Sequence, residues 1–147
     1  MELKKIPPKL IGEILIEEGF LEPKNLEEAL KIQRKEGGLI GEVLVRMGAI
    51  TEEQLVVGLS KQLSIPFIRL TNYNVNRNVL RLIPKKVAER YLFFPFEEDG
   101  EEVSVAMTNP GDREALEEMK RRIPGSVEVF LARPSEIKQA IGAHYPE

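Results

Sequence analysis

An internal duplication constrains the fold of this 147-residue chain more than any other feature of its sequence. Residues 10–33 align with residues 39–62 without a gap, and nine of the 24 aligned positions are identical. Three further positions exchange one branched aliphatic residue for another. Self-similarity of this kind is typical of a repeated supersecondary unit whose copies are stacked to bury a shared core. Residues 34–38 are expected to form a linker between the copies.

Each copy is predicted to form a short helix, a turn and a longer helix. Gly19 and Gly48 stand where the short helix would end, since glycine adopts the left-handed backbone conformation without steric cost. Thr51 and Gln54 have the spacing of a capping box, and Pro23 suits the first position of a helix. Leucines four residues apart then give each longer helix one apolar stripe.

The periodicity changes after Ser64. Residues 65–70 are β-branched and aromatic, so they are predicted to be extended, with Pro66 at a sheet edge or a strand start. The polar run 71–78 is the best candidate for a loop at the boundary between two lobes. Helices are then predicted over 84–90, 113–122 and 134–144, and strands over 92–96, 102–107 and 127–131, with a hairpin connection over 97–101 and Asp112 as a helix cap.

These elements predict the α+β class. A helical N-terminal lobe, residues 1–64, is built from the duplicated helix-turn-helix motif, and a small α/β sandwich lobe follows over residues 65–147.

The amino-acid composition excludes several classes of function. The chain has no cysteine, so thiol catalysis and cysteine-ligated metals are excluded. A net charge of −3 gives no general attraction to nucleic acid. No run approaches the ~20 apolar residues that span a membrane, and there is no signal peptide. We therefore expect a cytoplasmic protein that does not insert into the membrane.

No constellation for catalysis stands out. The chain contains no phosphate-binding P-loop sequence, and its single histidine, His144, is interpreted as a surface residue at a helix end that favours a cation. The acidic residues within 97–102 surround a predicted hairpin turn, and the basic group 120–122 ends a predicted helix, so both are interpreted as solvated charge. No catalytic, cofactor-binding or metal-binding residue is assigned.

The repeat itself is the best candidate for a binding site. Packing of two helical hairpins accounts for the leucines of the repeat. Gly12 and Gly41, however, stand at helix starts, where a glycine also lets another group approach the free backbone N–H donors. An anion can use such donors, and Gln33 and Gln62 occupy equal positions from which they can bind a ligand edge. Two such half-sites suit a ligand with two equivalent halves or one extended partner.

Together with the double motif, four segments resemble the N-terminal domain of type II secretion ATPases, which also precedes type IV pilus assembly ATPases. These segments are residues 62–70 (QLSIPFIRL), 82–84 (LIP), 105–110 (VAMTNP) and 132–137 (ARPSEI). The resemblance covers about residues 9–145. It implies a non-catalytic docking and regulatory domain that connects a parent ATPase domain to the cytoplasmic region of an inner-membrane platform protein. The chain would then be peripheral to the inner membrane through its partners.

The resemblance also implies an alternative, a sensor of cyclic di-GMP that regulates the ATPase. A subset of the family binds this ligand through paired motifs that begin Arg-Leu-Gly and end in Gln. The family's arginines fall on leucine here, and its first leucines fall on isoleucine. The nucleotide-binding residues implied are Leu10, Ile11, Gly12, Leu26, Leu30, Gln33, Leu39, Ile40, Gly41, Leu55, Leu59 and Gln62.

A third possibility is a free-standing adaptor unconnected to an ATPase. An adaptor and an ATPase domain are distinguished by the sequence after Glu147, where a parent ATPase would continue through a linker into a P-loop. We expect the chain to be a fragment of such a protein.

Overall fold

The computed structural model describes residues 10–146, which form two compact units divided between Ser64 and Ile65. The first unit contains four helices within its described residues. They are α1 (Ile11–Glu17), α2 (Pro23–Glu36), α3 (Ile40–Arg46) and α4 (Glu52–Leu63). The duplication is therefore a pair of helix-turn-helix units, as predicted, with one difference. Helix α2 continues through three residues of the expected linker, so the connection to α3 is shorter than predicted.

Local signals in the sequence define the ends of these helices. Gly19 and Gly48 have φ of 79° and 78° directly after the short helices, which confirms the predicted left-handed ends. Thr51 and Gln54 form the predicted capping box, with both hydrogen bonds present at 3.1 and 3.0 Å. Pro23 is the first residue of α2, where its missing N–H leaves no helical hydrogen bond unmade.

The two copies share one core because their helices pair crosswise. Helix α1 packs on α4 of the other copy, and α2 packs on α3. The crossing of α1 and α4 is close, since a Cβ on Gly58 would lie 2.9 Å from Leu15 Cδ2. Equivalent positions of both copies meet in this core, whose fully buried members include Leu15, Leu44, Ala29 and Val43. Neither copy encloses this core without the other.

The second unit is a three-stranded sheet with helices. Strand β1 (Phe93–Asp99) pairs antiparallel with β2 (Glu102–Met107), and β2 pairs parallel with β3 (Ser126–Leu131). The helical elements are a 3-10 helix (Arg77–Leu82), α5 (Lys85–Tyr91), α6 (Arg113–Arg122) and α7 (Pro134–His144). Phe93, Phe94 and Phe96 of β1 are buried at the centre of this unit.

Three details of this unit correct the expectations from sequence. The hairpin connection is only Gly100 and Glu101, because β1 continues to Asp99 instead of ending at Phe96. Leu92 ends α5 with φ of 55° and does not begin the strand. The polar run 71–78 lies inside the second unit, where its last residues enter the 3-10 helix, so it is not the boundary between the units. Asp112 does cap α6, accepting from the Ala115 N–H at 3.1 Å.

Gly125 is expected to be the glycine of this unit that tolerates alanine least. A Cβ at Gly125 would overlap the backbone carbonyl of Glu101, with 2.7 Å to its carbon, and a carbonyl cannot move like a side-chain end. We expect Gly125→Ala to lower the free energy of unfolding by about 2 kcal/mol or more through this overpacking. Gly142→Ala is the matched control, since Gly142 lies in α7 with nothing within 4 Å of the new Cβ. It should raise stability by about 0.5–1 kcal/mol in urea unfolding, and equal effects at both positions would contradict the prediction.

Candidate functional site

The first residue of each copy lies exposed at the start of a short helix. Leu10 and Leu39 are the N-cap residues of α1 and α3, both with extended backbone, and their side chains are 69% and 49% exposed. A leucine gives the free N–H groups of a first helical turn no capping acceptor. These two side chains are therefore available to a ligand or partner at equivalent points of the repeat.

Gly12 and Gly41 are buried within the first turn of these helices, and a leucine of the same copy lies against each. A Cβ on Gly12 would lie 2.9 Å from both methyl carbons of Leu26, and one on Gly41 would lie 2.7 Å from Leu55 Cδ1. The close approach that the sequence predicted at these glycines is thus made by a leucine of the longer helix. Both glycines are explained by packing between the two helices of a hairpin.

Gln33 and Gln62 lie near the ends of the longer helices. The Gln33 Nε2 group donates a hydrogen bond of 3.0 Å to the Gly38 carbonyl, directly before the second copy begins. Gln62 is half-buried at the equivalent position of α4. The Gln33 side chain therefore orders the connection that presents Leu39, which is a structural contribution to the same candidate site.

The remaining predicted residues divide between core and surface. Ile11, Ile40, Leu26 and Leu55 pack against the core of the first unit. Leu30 is exposed on α2, whereas Leu59 is half-buried on α4. Of the predicted residues, the exposed ones are therefore the leucines Leu10, Leu30 and Leu39. The charged residues in the first turns of α1 and α3 are Glu13 and Glu42.

The cationic side chains near the start of the second copy belong to the end of α2 and to α3. Arg34 and Lys35 are exposed in the last turn of this helix, and Arg46 of α3 pairs with Glu36 at 3.9 Å. Lys9, the corresponding cation before the first copy, lies outside the described residues. Exposed cations on flexible side chains contribute little on their own, because water and salt screen them.

His144 is not the exposed cation that the sequence suggested. Its ring lies 5.8 Å from the ring of Phe94, and its Nδ1 atom is buried without a hydrogen-bond partner among the described residues. Burial, and then the charge of Arg77, lower the pKa of His144 below its usual 6.5. The end of α7 therefore holds a neutral imidazole against the sheet.

This environment predicts a pH dependence. Because the folded pKa of His144 lies below the unfolded value, the unfolded chain binds the proton more tightly. The stability that this residue contributes is complete well above the unfolded pKa of ~6.5 and is lost as the pH falls through the lower folded pKa. Urea unfolding of His144→Gln should show a flatter pH profile than the original chain around and below pH ~6.5. If the free energy of unfolding of the variant depends on pH as steeply as that of the original chain, His144 is not the cause of the pH dependence.

Sequence reasoning missed Glu136, a carboxylate that is only 7% exposed at the first turn of α7. Its Oε1 atom accepts from the N–H groups of Leu70 and Thr71 at 2.8 and 3.1 Å, and from the Thr71 hydroxyl at 3.2 Å. Arg133 lies 3.8 Å from its other oxygen. No local signal predicts this contact, because its partners lie more than 60 residues away in sequence. It fixes the start of the second unit.

Residues 10–146 offer neither a metal site nor a membrane span. Within that range, no group of three or more acidic, histidine or cysteine side chains is placed to hold a metal ion. No helix there is long and apolar enough to cross a membrane. The acidic hairpin is partly paired instead, since Arg81 bonds both oxygens of Glu98 at 3.2 Å.

Known proteins with related sequences include type IV pilus assembly ATPases. The family model for the MshEN domain matches residues 63–147. The chain is 35% identical over 137 residues to the type IV pilus assembly ATPase PilB of Myxococcus xanthus, covering 93% of the chain and 24% of that protein. Identity to PilB of Thermus thermophilus is 32% over 149 residues, covering 100% of the chain and 17% of that protein. The chain thus spans a quarter or less of these relatives.

Two solved structures share the fold. The structure of MshE with cdg (cyclic di-GMP) matches with a TM-score of 0.83 and 30% identity, covering 93% of this chain and 99% of that one. The N-terminal domain of XpsE matches with a TM-score of 0.73 and 17% identity, covering 92% and 94%. The second likeness shows the fold alone. Both cover the helical unit as well as the region that the family model matches.

Proposed function

The chain belongs to the MshEN domain family, and we propose that it is the N-terminal docking and regulatory domain of a type II secretion or type IV pilus assembly ATPase. In this role it links the ATPase to the cytoplasmic region of the inner-membrane platform. The observation that carries the proposal is the match to PilB, which covers nearly the whole chain but only a quarter of the relative. The region of PilB that aligns with this chain is therefore one part of a longer protein.

The chemistry of the chain supports a binding role in place of hydrolysis. A P-loop ATPase holds phosphates with backbone N–H groups and a lysine, and this sequence has no such loop. Five of the six exposed large hydrophobic side chains of residues 10–146 lie in the helical unit. Where such side chains form one contiguous patch, the surface is typical of sites that bind another protein.

The parent ATPase provides the test. We expect removal of this domain to leave ATP turnover of the purified parent within a few-fold of its original rate. The same deletion should abolish its co-sedimentation with membrane vesicles that carry the platform protein. A parent whose P-loop lysine is replaced is the matched control, which should lose turnover and keep co-sedimentation. Unchanged co-sedimentation after removal of the domain would contradict the proposal.

A second function, sensing of cyclic di-GMP, is favoured by the likeness to MshE with that ligand. The candidate residues lie at equivalent positions of the two copies, which suits a ligand with two equivalent halves. Leu10 and Leu39, however, supply neither the planar fork that reads guanine nor charge for phosphate. Calorimetric titration of the chain with cyclic di-GMP tests this function, and absence of heat at millimolar ligand would exclude it.

A further inference from the structure

The two copies of the repeat share residues that pack and residues that do not. Residues 10–33 and 39–62 are identical at nine of 24 aligned positions and differ at the others. Three of the identical positions are exposed in both copies, and they are Leu10 with Leu39, Glu13 with Glu42, and Gly19 with Gly48. The two glycines are required by their positive φ at the ends of the short helices. Neither packing nor backbone conformation accounts for the shared leucine and glutamate.

The leucine at each start does not stabilise the helix that it precedes. Leu10 and Leu39 are N-cap residues that form no capping hydrogen bond, at positions where Ser, Thr, Asp or Asn would accept from a free N–H. Their side chains are 69% and 49% exposed, so apolar surface faces water at the same point of both copies. A poor cap that stays exposed in both copies points to a contact outside the chain.

A glutamate accompanies each of these leucines. Glu13 and Glu42 lie three residues after Leu10 and Leu39, and residues at this spacing are neighbours on a helix surface. Both glutamates are exposed, and neither forms a hydrogen bond or an ion pair within residues 10–146. A carboxylate in a first turn interacts favourably with the helix dipole, which accounts for an acid but not for the leucine beside it. Each start therefore presents an apolar side chain next to an unpaired negative charge.

Negative charge is concentrated in the helical unit. Residues 10–64 contain ten glutamates and six lysines or arginines, a net charge of −4, whereas residues 65–147 contain thirteen acidic and twelve basic residues. Such a unit is repelled by the anionic surface of a membrane, which argues against the leucines as a membrane anchor. A partner that combines apolar with cationic side chains is complementary to it.

We propose that Leu10, Glu13, Leu39 and Glu42, the repeat-start surface, bind a basic amphipathic helix of a partner protein. Apolar side chains of this helix cover the two leucines, and its lysines or arginines lie against the two glutamates. Binding of an amphipathic helix through anchors three or four residues apart is an established mode of recognition. Helices α1 and α3 contact each other, so the two leucine–glutamate pairs lie on adjacent helices. The inference rests on the proposed docking function, because it names the surface and the partner chemistry that docking uses.

Fluorescence anisotropy with a labelled helical peptide, LKKLLKLLKKLLKL, tests the chemistry of this surface. We expect saturable binding that weakens as salt is added, and no binding of the same peptide with glutamate for lysine. Leu10→Ala combined with Leu39→Ala should weaken binding at least about tenfold, because both apolar anchors are lost. Met47→Ala combined with Leu63→Ala shortens two other exposed side chains of the unit and should change binding less than about twofold.

Charge has its own matched pair of variants. Glu13→Gln combined with Glu42→Gln should weaken binding at least about fivefold, since it removes both charges that face the partner. Glu27→Gln combined with Glu28→Gln changes the net charge equally at exposed positions of α2, and it should have less than about a twofold effect. Circular dichroism melting should show that all these variants fold, because every replaced side chain is exposed.

The purified cytoplasmic region of the platform protein separates this inference from the docking function. If the original chain and both repeat-start variants bind this region equally, docking is correct and the repeat-start surface is not its site. If the chain binds the basic peptide through this surface but does not bind the platform region, only the docking function is contradicted.

Three results with the peptides and lipids would overturn the inference. They are equal binding of the two peptides, equal losses in the repeat-start variants and their controls, and binding to anionic lipid vesicles that Leu10→Ala with Leu39→Ala abolishes. The last would assign the two leucines to a membrane surface.

Discussion

Replacement of both Leu10 and Leu39 by arginine is expected to strengthen the binding of cyclic di-GMP by about two orders of magnitude. Both side chains are exposed at equivalent helix starts, so an arginine at either position meets no packed neighbour. Each guanidinium adds a charge-assisted hydrogen bond to guanine or phosphate, worth about 1.5–3 kcal/mol when well formed. Even at the lower value, the two half-sites together contribute about 3 kcal/mol, or about a hundredfold in Kd. Calorimetry of the original and variant chains measures the difference.

Two controls separate geometry from charge. Lysine at the same two positions adds equal charge without the planar fork, so it should recover only a small part of the gain. Arginine at Leu63, an exposed leucine outside the predicted set, should have no effect beyond general attraction. Equal gains from arginine and lysine, or no gain from either, would show that the repeat starts do not determine nucleotide affinity in this chain.

Truncation of Leu15 or Leu44 to alanine is expected to have the largest effect on the stability of the helical unit. These leucines are equivalent in the two copies, and both are completely buried in the single core that the crossed helices enclose. Each truncation should lower the free energy of unfolding by about 2–5 kcal/mol, because it removes buried methyl groups and leaves a cavity. Urea unfolding followed by far-ultraviolet circular dichroism measures the effect.

The matched control is Leu10→Ala, which shortens an exposed leucine of the same unit and should change stability by less than about 0.5 kcal/mol. Because the two copies share a core, Leu15→Ala and Leu44→Ala should each destabilise all four helices in one transition. Loss of only one copy's helices in either variant would contradict the crossed packing.

The helical unit was predictable because its information is local. The ends marked by Gly19 and Gly48, the capping box at Thr51 and the helix start at Pro23 all depend on residues within one turn. Similarly, Asp112 and the turn at Gly100 predicted the helix and hairpin that they border. Secondary structure that depends on short-range hydrogen bonds leaves a signal in the sequence.

Contacts over long range left no such signal. The Glu136 bonds to Leu70 and Thr71, and the pairing of Phe67 with Leu131, join segments that are far apart in sequence. In the candidate site, the sequence identified Gly12 as a point of close approach, but only the structure shows that Leu26 makes it. A glycine pattern indicates that space is needed and does not identify the neighbour that fills it.

Direct binding to the platform tests the central claim. The chain should be mixed with the purified cytoplasmic region of the platform protein encoded with its ATPase, and the mixture followed by sedimentation velocity. If the chain is a docking domain, a complex should form at concentrations of about tens of micromolar or below, typical of a transient interface. It should form whether or not cyclic di-GMP is present. Two independently sedimenting species at these concentrations would contradict the docking function.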